Sequence, residues 1–144
     1  MSSFVQEYRE EWIAMGKYVY PAVFTKEDDG KYSIFFPDLE GCYTTGDNLS
    51  DALYMAEDVL AFTMYSLEKD KLPIPEPSEN LDIEAGSFVN YIVCDTLEYQ
   101  KMNNNKAIKK TLSIPEWLNE KAMEANLNFS QVLQEALKAK LGVY

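Results

Sequence analysis

The sequence predicts an α+β fold in two modules, a β-β-β-α-β module followed by a β-α-α module. Segments with the period-two alternation of strands surround one long segment with helical periodicity, and a shorter strand-helix-helix pattern follows near the C-terminus. Charge divides the 144 residues at the same place. Residues 1–105 carry 7 Lys or Arg and 20 Asp or Glu (net −13), whereas residues 106–144 carry 6 Lys and 4 Glu (net +2). We therefore expect two modules with different partners.

The N-terminal module is expected over residues 15–99, after an N-terminal extension of residues 1–14. Its strands are predicted at residues 17–25, 31–37, 42–45 and 88–96. The first two strands form a hairpin because Asp29-Gly30 supplies the positive φ that a tight turn needs. Pro21 cannot donate a ladder hydrogen bond, so the first strand is expected at a sheet edge or bulged at this residue.

One long helix is predicted between the third and fourth strands. Asn48 followed by Asp51 marks its N-terminus, and apolar residues recur on one face to about Lys69. A strand-helix-strand crossover of this kind favours a fourth strand parallel to the third. The polar, patternless residues 100–105 then predict a flexible linker.

The C-terminal module, residues 106–144, begins with a strand in which apolar and polar residues alternate. Its mostly apolar face holds Ile108, Lys110, Leu112 and Ile114, and its polar face holds Lys109, Thr111 and Ser113. A single strand in so short a module has no partner for its backbone hydrogen-bonding groups, so we expect two copies to pair as a homodimer. Further association into a tetramer stays open. The resulting antiparallel ribbon fits the major groove of DNA.

Two short helices follow this strand. Pro115 suits the first position of a helix that runs to about Ala125. Asn128 and Gln131 form a capping box at the start of the second helix, whose apolar face continues to Leu141.

The order strand, Ile-Pro-Glu-Trp-Leu, helix, Asn-Phe-Ser-Gln, helix resembles a ribbon-helix-helix DNA-binding domain over about a quarter of the chain. The resemblance implies operator DNA as a partner, with base contacts from Lys109, Thr111 and Ser113 and phosphate contacts from the backbone amides of Phe129 and Ser130. The alternative is a dimerisation hairpin with solvated polar residues. That alternative leaves unexplained why Lys106, Lys109 and Lys110 cluster in an otherwise acidic protein.

The N-terminal module resembles the HicB antitoxin family over about residues 17–96. The resemblance rests on Tyr20-Pro21-Ala22-Val23-Phe24, Gly30-Lys31-Tyr32-Ser33-Ile34, Phe36-Pro37-Asp38-Leu39-Glu40-Gly41-Cys42 and Gly46-Asp47-Asn48-Leu49. Glu40 stands where many members have Pro. The family fold is a partial ribonuclease-H-like β-β-β-α-β module. HicB proteins commonly carry a helix-turn-helix or ribbon-helix-helix domain at the C-terminus, so the two resemblances support each other.

Together the resemblances imply an antitoxin that neutralises a HicA-like toxin, a small basic mRNA-cleaving protein, and represses its own operon. An acidic module suits a basic partner. The candidate toxin contacts are carboxylates in loops between paired strands: Glu27, Asp28, Asp29 and Asp38. The alternative is a ligand-sensing ribbon-helix-helix regulator without a toxin partner.

Neither an enzyme nor a metal or cofactor site is expected. Catalysis in a ribonuclease-H-like fold needs several acidic residues that converge on Mg²⁺, and the first strand has none, so a nuclease using Asp38, Asp47 and Asp95 is the weakest alternative. The chain has no His, and Cys42 and Cys94 lie in separate apolar strands, where we expect buried, reduced thiols. Without an 18-residue apolar stretch or a signal peptide pattern, no membrane partner and a cytoplasmic location are expected.

Overall fold

A computed structural model describes the backbone of residues 3–144 and the side chains of residues 6–144. Met1 and Ser2 of the predicted N-terminal extension lie outside the described residues. The elements are α1 (Ser3–Ala14), β1 (Lys17–Lys26), β2 (Tyr32–Phe35), β3 (Tyr43–Gly46), α2 (Leu49–Lys69), β4 (Ser87–Asp95), α3 (Thr96–Asn103), α4 (Glu116–Glu124) and α5 (Phe129–Leu141). They divide into two compact units, the first ending at Lys106 and the second comprising Ala107–Tyr144.

The first unit is built on a four-stranded antiparallel sheet with the strand order β3-β2-β1-β4. The prediction that the fourth strand runs parallel to the third is wrong, because β4 pairs antiparallel with β1 from Lys17↔Asp95 to Thr25↔Ser87. The reason is the connection after α2. Residues 70–86 are long enough, at about 3.3 Å per extended residue, to return the chain along the sheet before β4 begins.

Pro21 lies in β1, which is an interior strand rather than the predicted edge strand. Pairing between β1 and β2 extends only from Val23↔Phe35 to Lys26↔Tyr32. At Pro21 the strand therefore has a neighbour on one side only, through the Pro21↔Tyr91 pair with β4, and the register there is continuous without a bulge. An interior strand tolerates proline here because β2 does not extend alongside this residue.

Helix α2 covers one face of the sheet and confirms the helix predicted from the apolar periodicity. The Asn48 side chain caps it by accepting a hydrogen bond from the Asp51 amide (2.9 Å). The core consists of alternate residues of the strands packed on small and aliphatic residues of α2: Tyr18, Tyr20, Ala22, Phe24, Ile34, Ile92 and Cys94 from the strands, and Ala52, Ala56, Leu60, Ala61 and Met64 from the helix.

The predicted linker over residues 100–105 is partly helical, because α3 extends to Asn103. The Asp95 side chain caps this helix by accepting hydrogen bonds from two first-turn amides, at 3.0 and 3.1 Å. Tyr99 then packs its ring against Phe62 and Tyr65 of α2, with ring centroids 6.4 and 5.7 Å apart. The polar composition of this segment predicted a linker, but capping and aromatic packing stabilise a helix there.

The second unit contains the two predicted helices α4 and α5. Pro115 is the residue before α4 rather than its first residue, and Gly142 ends α5 in a left-handed conformation (φ 68°). The strand predicted before α4 is not formed in the single chain, where residues 105–115 have neither helical nor strand structure. A strand requires backbone hydrogen bonds to a neighbouring strand, and the described residues of this unit contain no other strand. Among residues 3–144, no helix is both long and apolar enough to span a membrane.

Candidate functional site

Three of the four predicted toxin contacts lie at the tip of the β1–β2 turn. Glu27, Asp28 and Asp29 are all exposed there. The Lys31 amide donates a hydrogen bond to the Asp29 carboxylate (3.0 Å), and Gly30 adopts a φ of 86° that favours glycine. Asp29 thus stabilises the turn, and the carboxylates beside it face solvent.

Asp38, the fourth predicted toxin contact, lies in the turn between β2 and β3, at the other end of β2. Its carboxylate accepts hydrogen bonds from the backbone amide of Ser78 (2.9 Å) and from the Ser78 hydroxyl. Asp38 therefore anchors the connection between α2 and β4 to the β2–β3 turn. The structure does not bring it together with the three carboxylates of the β1–β2 turn.

The acidic residues of the nuclease alternative do not converge on one place. The strand register puts Asp47, which follows β3, and Asp95, which ends β4, at opposite ends of the sheet. Asp47 forms an ion pair with Lys31 (3.8 Å), whereas Asp95 caps α3 and Asp38 binds Ser78. Among the described residues, no group of three or more carboxylates or thiols is placed to hold a metal ion.

The thiols of Cys42 and Cys94 are free and buried, as predicted. Burial raises the pKa of the Cys94 thiol to about 12, and the negative charges of Glu68 and Asp95 add to this effect. Burial likewise raises the pKa of Cys42 and raises the pKa of the Tyr18 phenol to about 12. These groups are protonated at neutral pH, so none is a ready nucleophile or general base.

The face of the sheet turned away from α2, here called the outer sheet face, carries a broad apolar area beside a polar row. Side chains alternate between the two faces of a strand, so the apolar neighbours of the core residues point to this side: Val19, Pro21, Val23, Phe35, Tyr43, Val89, Tyr91 and Val93. The polar row on the same face consists of Thr25, Ser33, Thr45 and Ser87. Tyr43 is 70% exposed, Tyr91 56% and Phe35 49%. A sheet with one covered face usually turns polar residues to solvent on the other, so these aromatic side chains mark a candidate contact surface.

A cavity of about 460 Å³ lies between α1, β1 and the connection that follows α2. Trp12, Tyr18, Tyr20 and Ile74 contribute apolar or aromatic walls. Arg9 and Glu76 form an ion pair with each other and also line the cavity. Its size and apolar lining are those of sites that bind small organic molecules.

The predicted base contacts lie in the irregular segment of residues 105–115. Lys109, Thr111 and Ser113 are exposed, and Lys106, also exposed, is the last residue of the first unit. Because this segment is not a strand in the single chain, its polar residues do not form the flat face that a ribbon would provide.

The predicted phosphate contacts begin helix α5. Phe129 and Ser130 are its first two residues, and helix geometry leaves first-turn amides without partners inside the helix. The Asn128 side chain caps the helix by accepting a hydrogen bond from the Gln131 amide (3.0 Å). The cap thus uses a different amide from the two that are predicted to bind phosphate.

The second unit exposes its apolar side chains. None of residues 107–144 is buried, and the large apolar residues with more than a third of their surface exposed include Ile108, Leu112, Ile114, Trp117, Leu118, Leu127, Phe129, Val132, Leu137 and Leu141. A unit of this size without a buried residue has no core of its own to stabilise it.

Sequence reasoning missed the outer sheet face as a candidate site. One signal was available, because the fourth predicted strand is apolar on both faces. The remaining information lies in the pairing register of the strands, which the sequence does not show. Only the pairings Phe35↔Tyr43 and Val23↔Phe35 show that aromatic residues from different strands share this face.

Comparison with known proteins assigns the first unit to a family. The family model described as the HicB-like antitoxin of bacterial toxin–antitoxin systems matches residues 19–89. Antitoxin HicB 1 of Photorhabdus laumondii is 38% identical over 60 residues, which cover 40% of this chain and 39% of that protein. A UPF0150 protein of Thermoplasma acidophilum is 31% identical over 67 residues, which cover 46% of this chain and 97% of that protein.

A solved structure extends the similarity beyond the family match. A chain of a toxin–antitoxin complex from Streptococcus pneumoniae is 31% identical, with a TM-score of 0.54 over 86% of this chain and 99% of that chain. The match with the Photorhabdus antitoxin spans less than half of that protein's length, whereas the matches with the Thermoplasma and Streptococcus chains span almost all of theirs. The chain therefore belongs to the HicB-like antitoxin family.

Proposed function

We propose that this protein is an antitoxin that binds and neutralises a small, basic, mRNA-cleaving toxin of the HicA type through its first unit. The observation that carries the proposal is the charge division within a member of this family, since residues 1–105 have a net charge of −13. Such a charge accelerates association with a basic RNA-binding protein and disfavours binding to nucleic acid by the same unit.

The proposed neutralisation is by occlusion rather than by an enzymatic reaction of the antitoxin. The candidate acidic residues are engaged in hydrogen bonds within the fold, Asp38 with Ser78 and Asp95 with the start of α3. The buried thiols are protonated at neutral pH. A binding surface accounts for the first unit without a catalytic group.

The second unit is proposed to form a ribbon-helix-helix homodimer that binds operator DNA and represses the operon. Support comes from the apolar side chains that this unit exposes and from its net positive charge. Pairing of two copies of residues 106–114 makes the ribbon, whose polar face carries Lys109, Thr111 and Ser113, with Lys106 beside it. The amides of Phe129 and Ser130 then hold phosphates.

The test of neutralisation measures RNA cleavage by a small basic toxin of the HicA type, with and without the full-length antitoxin. Cleavage is expected to stop at a one-to-one ratio. Association is expected to slow as salt rises, because charge attraction is screened over about 10 Å at 0.1 M ionic strength. Undiminished cleavage at tenfold excess of folded antitoxin contradicts the proposal.

A second candidate, a ligand-sensing transcriptional regulator without a toxin partner, is favoured by the cavity of about 460 Å³ beside α1. The same assay separates the two candidates. A protein that binds operator DNA, leaves toxin cleavage untouched and changes its DNA affinity when a small molecule fills this cavity supports the regulator.

A further inference from the structure

We propose that the basic partner docks on the outer sheet face, with its contacts centred on Phe35, Tyr43 and Tyr91, rather than on the acidic β1–β2 turn. This inference rests on the proposed function, because the occupant is the basic toxin of that proposal. The partner is then bound by the four strands β1, β2, β3 and β4 together, whereas the sequence predicted that the acidic loops would bind it.

The strand register forms an apolar row that crosses all four strands, next to a polar row of Thr45, Ser33, Thr25 and Ser87 on the same face. Tyr43 pairs with Phe35, Phe35 with Val23, and Val23 with Val89, so one row of apolar side chains crosses all four strands. Tyr91, paired with Pro21, adds an aromatic ring in the next row on the same face. Val23, which lies between these strands, is only 5% exposed. The exposed aromatic rings are therefore next to a tightly packed, buried residue.

The composition of this face is that of a protein interface. Buried centres of interfaces are enriched in aromatic residues, and Tyr is among the side chains whose truncation most often weakens binding. The opposite face of the sheet is covered by α2, which packs on Tyr20 and Phe24. The outer sheet face carries the broad apolar area that the described sheet leaves open, and exposed aromatic side chains from several strands suit a folded protein better than a small ligand.

Charge decides between a basic partner and a second copy of this chain. Two copies docked face to face would bring together first units that each carry a net charge of −13 over residues 1–105, and like charges at an interface are costly. A basic protein gains attraction instead. The first unit thereby favours a heterologous complex on this face.

The β1–β2 turn is a weaker alternative than its sequence suggests. Lys26 and Lys31 flank its three carboxylates, so residues 26–31 carry two positive and three negative charges, a net of −1. Asp29 is engaged in the turn itself through its hydrogen bond with the Lys31 amide (3.0 Å). Exposed ion pairs contribute little to affinity on their own, so this turn serves as a rim for the apolar contact.

The experiment measures toxin binding and dissociation by full-length protein carrying Tyr43→Ala, Tyr91→Ala or both. Each single change is expected to weaken binding by at least about tenfold, mainly through faster dissociation, since truncation at the centre of an interface removes desolvated contacts. Tyr54→Ala is the matched control, because Tyr54 is 67% exposed on α2, away from this face. The control is expected to bind within twofold of wild type, and thermal melting checks that every variant is folded.

Each outcome decides the assignment. A double variant that binds toxin within twofold of wild type overturns the docking face while leaving the antitoxin function intact. Loss of binding only when Glu27, Asp28 and Asp29 become amides also overturns it, in favour of the turn. If the Tyr43 and Tyr91 changes alter only self-association in sedimentation, the outer sheet face binds a second copy of the chain rather than the toxin. If the wild-type protein binds no toxin, the proposed function itself fails.

Discussion

At the scale of single residues, Gly46 sets how closely α2 approaches the sheet. It ends β3 and is buried beneath the first turn of the helix. A Cβ atom there would lie 2.4 Å from the Ala52 Cα atom and 2.5 Å from the Ala52 amide nitrogen. Both are backbone atoms, which cannot rotate away as the end of a flexible side chain can. The Gly-Asp-Asn-Leu segment of the sequence therefore carries a packing requirement as well as a helix start.

We expect Gly46→Ala to destabilise the first unit by about 3 kcal/mol or more, because the methyl group forces α2 away from the sheet. Gly41→Ala is the control. A Cβ at Gly41 has no neighbour within 4 Å, and only its φ of 69° is unfavourable, which costs about 1–2 kcal/mol. Urea unfolding of both variants gives the comparison. Equal losses of unfolding free energy at the two glycines would show that the close approach to Ala52 is not the cause.

At the scale of elements, the sequence predicted whatever depends on local pattern. The apolar period and the Asn48 cap were sufficient for α2, and Asp29-Gly30 was sufficient for the β1–β2 hairpin. The orientation of β4 was predicted wrongly because it depends on how residues 70–86 return the chain, which no local period records. Helix α3 was missed because its support, Tyr99 against α2, is a tertiary contact.

The candidate site was predictable to the same extent. Glu27, Asp28 and Asp29 were correctly expected on an exposed turn, since turn composition fixes their place. Asp38 has the same appearance in sequence but binds Ser78, 40 residues away. A partnership over that separation leaves no trace in local spacing. The outer sheet face could not be predicted from local sequence either, because it is formed by residues of four strands whose pairing register brings them together.

The segment before α4 is proposed to contact the bases of operator DNA. Changing Lys109, Thr111 and Ser113 together to alanine is expected to weaken operator binding by about 1–3 kcal/mol per lost base contact in each half-site. Lys138→Ala near the end of α5 lies outside the proposed contacts and is the matched control. Titration of promoter DNA at fixed salt measures both variants. A triple variant that remains a dimer and binds the promoter as tightly as wild type would contradict base contact by this segment.

At the scale of the whole molecule, the two units differ in how each is stabilised. The first unit has a core in which Tyr20, Phe24 and Leu60 are almost fully buried. The second has no buried residue among 107–144, although its helix α5 is capped at Asn128 and Gly142. Helices of 9 and 13 residues are marginal in water without a packed face. Folding of the second unit is therefore expected to depend on protein concentration, whereas folding of the first is not.

Because the second unit lacks a core of its own, the homodimer is expected to depend on the apolar faces of its paired strands. Leu112→Asp should convert the full-length protein from dimer to monomer, because the aspartate would bury a charge where the apolar faces of two paired strands meet. Leu72→Asp, at a residue 52% exposed in the first unit, is the control and should leave the dimer intact. Sedimentation velocity at micromolar concentration measures both. The Leu112 variant should also lose operator binding yet still stop toxin cleavage, because the first unit keeps its own core. If the wild-type protein sediments as a monomer while its C-terminal helices are formed, a dimeric ribbon is excluded. If the Leu112 variant is a monomer and no longer inhibits the toxin, neutralisation requires both copies of the antitoxin.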